Sequence, residues 1–134
     1  MIQSEYTTST GRKIYVFRDV YDYAHQLNLL KWSMTRPFSF NPSNEGMLIG
    51  LKSDTILSCQ TDLTNDQFRE MMKIDSLDPI KKLLSNKILS RNWINTNVSK
   101  APSYFHSDAF VEGSLSMLYY LNCEWNTSWD GYIV

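Results

Sequence analysis

The alternation of apolar and polar positions divides the chain into short extended runs and amphipathic helical stretches. Lys13 to Arg18 alternates around Ile14, Val16 and aromatic residues, which predicts a strand. Val20, Ala24, Leu27 and Leu30 recur at helical spacing, so a helix capped by Asp19 is expected to run to about Ser33. Arg36-Pro37 breaks the pattern. Met47–Leu51 and Thr55–Cys59 are short apolar runs that periodicity alone leaves open between helix and strand. Thr64-Asn65-Asp66-Gln67 has capping-box spacing and predicts a helix to about Ile74, with Phe68, Met71 and Met72 on its apolar face. Asp78-Pro79 predicts a second helix, with Asp78 as its cap and Ile80, Leu83 and Leu84 as its buried stripe. From Ile88 to Asn97 the chain turns extended. Strands are expected at 104–108, 114–121 and 131–134. Residues 1–11 are polar and rich in Thr and Ser, and read as a loose tail.

Composition narrows the class. At 134 residues the chain fits one domain, and 43% hydrophobic residues suffice for a core. The net charge of −1 leaves no basic face for a nucleic-acid backbone, and Arg12-Lys13 and Lys81-Lys82 read as solvated surface charge. Two cysteines, Cys59 and Cys123, make no disulfide framework, and reduced thiols point to the cytoplasm, a host's cytoplasm if the chain is viral. No signal peptide or membrane span is readable.

The candidate chemistry lies at His106-Ser107-Asp108. In an extended segment, residues two apart point to the same side. A neutral imidazole and a carboxylate so placed can bind one divalent metal, and they make two thirds of a facial triad suited to non-haem Fe(II). Taken alone, the same spacing also fits a polar loop with no metal.

The flanking residues add a resemblance. Tyr104-x-His106-x-Asp108, then Leu118-Tyr119-Tyr120-Leu121-Asn122, then Trp129-Asp130-Gly131 resemble the 2-oxoglutarate/Fe(II)-dependent oxygenases, in particular the prolyl 4-hydroxylase-like group and its short phage and bacterial relatives. The close match covers 88–134. It departs from the family at Asp130-Gly131-Tyr132-Ile133, where one Gly and a Glu are absent. The resemblance implies that His106 and Asp108 are iron ligands. It also implies that Tyr120 helps hold the distal carboxylate of 2-oxoglutarate, the alternative being a core tyrosine. Tyr104 would line the pocket, or simply pack. Asn95 and Asn97 would touch the co-substrate, or end a strand.

The implied fold is α+β, with N-terminal helices packed on a partial double-stranded β-helix, or jelly roll. In this reading 12–87 form a strand and helical support, and 88–134 form the first half of the jelly-roll core. The implied cofactors are Fe(II) and 2-oxoglutarate, with ascorbate as a further reductant. The substrate would be a small molecule or a peptide. The family's distal His and its co-substrate Arg or Lys would fall beyond Val134, so the single domain is expected to be incomplete on its C-terminal side. Such a chain would be inactive alone and would self-associate through an open sheet edge. The rival expectation is a degenerate oxygenase-like module that binds without catalysis. The remaining histidine, His25, reads as a helix-surface or satisfied residue rather than a third ligand.

Overall fold

The computed structural model describes residues 1–40, 56–97, 113–124 and 126. Among these, three helices and two small antiparallel sheets make a mixed α and β fold.

The first sheet is a hairpin of β1 (Ile2–Thr7) and β2 (Lys13–Arg18), with Thr7 opposite Lys13 and Ile2 opposite Arg18. The segment expected as a loose tail is therefore half of a ladder. The turn explains the difference. Gly11 N–H donates to the Thr8 carbonyl at 2.9 Å, Thr8 N–H donates to the Arg12 carbonyl at 2.8 Å, and Gly11 takes φ +80. A left-handed residue at this point suits the right-handed twist of a hairpin, and glycine adopts it without steric cost.

The chain then bends at Asp19, at φ 52, and enters α1 (Tyr23–Met34). The cap is Asp22, not Asp19 as expected: its carboxylate accepts the His25 backbone N–H at 2.7 Å. Capping needs an acceptor aligned with the third helical amide. Asp22 has that alignment, while Asp19 makes the left-handed corner, which Asp tolerates better than most residues. The buried face of α1 also differs from the expected stripe. Leu29 and Ser33, four apart, are buried, while Leu27 and Leu30 are half-buried and Ala24 is exposed. Arg36 lies 5.0 Å from the centre of the Trp32 ring at the helix exit, and Pro37 prevents continuation.

The second sheet has the order β3 (Ser39–Phe40), β4 (Ile56–Gln60), β5 (Trp93–Asn97). Both pairings are antiparallel, with Ser58 opposite both Ser39 and Asn95, and Cys59 opposite Ile94. The central strand buries adjacent residues Ser58 and Cys59, so both of its faces are covered there. This settles the ambiguous run at 55–59 as a strand. Its companion at 47–51 lies outside the described residues.

Helix α2 (Asn65–Met71) starts at the predicted capping box. Thr64 Oγ1 accepts Gln67 N–H at 3.2 Å, and Gln67 Oε1 accepts Thr64 N–H at 2.9 Å. We expect Thr64→Ala to lose about 1 kcal/mol of stability, read as a lower urea midpoint at unchanged slope. A Thr64→Ser variant should retain most of that stability; equal loss in both would show that the cap bond is not the cause.

The helix ends earlier than the expected Ile74 because Lys73 takes φ 48, the left-handed exit more often filled by glycine. A 3-10 turn, Ile74–Ser76, follows and leads into α3 (Asp78–Leu84). Leu77, not Asp78, occupies the cap position of α3 and makes no side-chain cap bond. Asp78 is instead the first helical residue, where its charge complements the helix dipole. Pro79 sits within the first turn, where a missing N–H costs no helical bond.

Leu29, Met72, Ile74 and Ile80 form the buried core, with Phe17, Val20, Tyr21, Phe68, Leu77, Tyr119 and Leu121 packed around it. Segment 114–121 was expected as an interior strand. No strand pairs with it among the described residues, and Leu115, Met117, Leu118 and Tyr120 are exposed. Alternation does persist near its end. Tyr119, Leu121 and Cys123 turn inward while Leu118, Tyr120 and Asn122 face out. The side-chain period therefore set a face, but not a ladder.

Candidate functional site

Of the residues singled out in the sequence, His106, Asp108, Tyr104 and the strand 104–108 lie outside the described residues, as does 131–134. Tyr120 and Asn95 are described. Asn95 is exposed on β5, opposite Ser58. Tyr120 lines a shallow hollow of about 210 Å3 between the end of β2, the start of α1 and segment 118–120, and Asn95 is not among its lining residues.

Local structure builds this hollow. Phe17 comes from β2, and Asp19, Val20 and Tyr21 from the corner that follows it. Leu118, Tyr119 and Tyr120 close the other side. Tyr21 anchors the arrangement: its hydroxyl donates to the Met72 carbonyl at 2.5 Å. Gln26 Nε2 donates to the Tyr21 carbonyl at 2.9 Å, fixing the corner to the first turns of α1. The Tyr21 and Tyr119 rings meet edge to face, with centres 5.4 Å apart and planes at 78°. Burial, then the neighbouring Tyr119, push the Tyr21 hydroxyl up to about 12. Burial also raises the Tyr119 and Tyr120 hydroxyls above their ordinary value. All three are neutral donors near neutral pH.

His25 stacks obliquely on Tyr21, with ring centres 4.6 Å apart, and its Nε2 is buried without a hydrogen-bond partner. It is half-buried against Tyr21 rather than set on the open helix surface. Cys59 and Cys123 are free thiols. Among the described residues no group of three His, Cys, Asp or Glu side chains could hold a metal ion, and no helix is long and apolar enough to cross a membrane.

The hollow itself was missed in the sequence. Its one available signal was the aromatic spacing Phe17-x-x-x-Tyr21 set against Tyr119-Tyr120, and nothing local ties those segments together. In comparisons with known proteins, no family model, no curated protein and no solved structure matches this chain.

Proposed function

We propose that this chain carries part of an Fe(II)- and 2-oxoglutarate-dependent hydroxylase site, with His106 and Asp108 as two of its metal ligands. The pattern Tyr104-x-His106-x-Asp108 followed by Leu118-Tyr119-Tyr120-Leu121-Asn122 carries this reading. The donor chemistry fits in kind, because an imidazole with a carboxylate suits Fe(II). It is short in number, since the pattern supplies two ligands of a three-residue set. The full architecture of this reading is a double-stranded β-helix supported by helices, and the helices and antiparallel sheets of the fold are compatible with it. Once bound, iron and 2-oxoglutarate would activate O2, the oxidant for C–H hydroxylation of a small molecule or peptide, with 2-oxoglutarate leaving as succinate and CO2. The chain would hold the metal through His106 and Asp108 and offer the neutral Tyr120 hydroxyl to the co-substrate.

Anaerobic titration with Fe(II) tests this. Binding should be weak, and His106→Ala or Asp108→Ala should each weaken it at least about tenfold, since even outer-sphere changes reach that size. Tight one-to-one binding that survives both substitutions would place the metal elsewhere.

A second reading is favoured by a separate observation, the exposed row Leu115, Met117, Leu118 and Tyr120. Apolar surface of this kind suits an oxygenase-like module that binds a partner without catalysis. Succinate release in the presence of Fe(II), ascorbate and 2-oxoglutarate separates the two. Release abolished by His106→Ala means catalysis, while iron binding without succinate means a module.

A further inference from the structure

We infer that the hollow between β2, α1 and segment 118–120 is a binding site for a small organic cation of the quaternary-ammonium type. This inference does not rest on the iron reading. The lining sets the chemistry. Four of its eight residues are aromatic: Phe17, Tyr21, Tyr119 and Tyr120. The faces of such rings carry negative electrostatic potential and attract cations, most strongly those that shed water easily. Tyr21 and Tyr119 stand nearly perpendicular, at 78°, and so form a corner rather than a flat stack.

Charge points the same way. Asp19 is the one ionisable carboxylate in the lining, and no lysine or arginine lines the hollow among the described residues. Among the described residues Asp19 makes no ion pair or side-chain hydrogen bond. Its neighbour Arg18 ends β2 on the side opposite Phe17. The Asp19 backbone is held at φ 52, a conformation that costs energy in most residues and often marks a functional position. Size narrows the class further. About 210 Å3 is below the range of drug-sized pockets, so a trimethylammonium head fits and a larger ligand would project into solvent.

Tyr120 separates this inference from the hydroxylase reading. The hydroxylase reading uses its hydroxyl, whereas the cation site uses its ring. The whole chain, isotope-labelled, would be titrated with tetramethylammonium chloride and followed by amide NMR. The neutral isostere tert-butyl alcohol would be run in parallel. Saturable shifts at Val20, Tyr21, Tyr119 and Tyr120 are expected with tetramethylammonium and not with the neutral isostere. Tyr120→Phe should leave its affinity unchanged, while Tyr120→Ala and Asp19→Asn should each weaken it roughly fivefold. Asparagine accepts a left-handed backbone as readily as aspartate, so Asp19→Asn should keep the corner. Unchanged resonances in the β4 and β5 core would confirm that each variant is folded. Equal binding of tert-butyl alcohol, or full affinity in folded Asp19→Asn, would each overturn the cation site.

Discussion

Ile74→Ala should destabilise the protein by about 3 kcal/mol, a large loss for a single side-chain truncation. Ile74 has 0% of its surface exposed and is the one fully buried large side chain among the described residues. It packs with Leu29 of α1, Met72 at the end of α2 and Ile80 of α3. Its backbone has little room to collapse into the gap. Lys73 holds the left-handed exit just before it, and Leu77 N–H bonds the Ile74 carbonyl at 3.1 Å. A cavity that cannot relax keeps both costs, the lost transfer energy and the lost contacts. Ile88→Ala is the matched control: Ile88 is 85% exposed and should change stability by under about 0.5 kcal/mol. Urea denaturation of the two variants decides the matter. Losses of similar size would mean that the core is not centred on Ile74.

Tyr21 should give the second large effect, and one that depends on pH. Tyr21→Ala removes the ring that touches His25 and Tyr119, and should cost about 3 kcal/mol. Tyr21→Phe keeps the ring but loses the bond to the Met72 carbonyl, and should cost about 1 kcal/mol. The sign of the pH effect follows from the raised pKa. Folded Tyr21 loses its proton at about 12 and the unfolded residue at 10.0, so the folded state holds the proton more tightly. Its contribution is fully present below pH 10.0 and is lost as pH rises through about 12. Denaturation midpoints near neutral pH and at about pH 11 should fall less in Tyr21→Phe than in the parent chain. The decline should not vanish, because Tyr119 and Tyr120 shift in the same direction. An identical decline in parent and variant would assign the alkaline loss to other groups.

The parts of the fold legible in the sequence are those fixed by neighbours along the chain. Thr64 and Gln67 satisfy each other across one turn, so the start of α2 was readable. The alternation of β2 gave its bounds as Lys13–Arg18. Asp19 and Asp22 offer the same carboxylate three residues apart, and composition does not say which will cap and which will turn the corner. β1 was hidden because its apolar content is low and its strand character depends on pairing across the Gly11 turn. Segment 114–121 misled in the opposite way. Its apolar residues suggested two covered faces, yet Leu118 is 69% exposed. The hollow was not legible, since Tyr21 and Tyr119 meet only through the tertiary fold. His106 and Asp108 lie outside the described residues, and it is Fe(II) titration that bears on their chemistry.

The contact between Tyr21 and Tyr119 also orders events in time. During synthesis β1 and β2 find each other as strand partners within a few residues and can pair at once. Tyr21, at its exit, must wait for Met72 and then for Tyr119 before its hydroxyl and ring are both covered. At ordinary translation rates that interval is on the order of ten seconds. Throughout it the aromatic corner stands open to whatever binds exposed rings, so the nascent chain passes through a stage that favours chaperone capture.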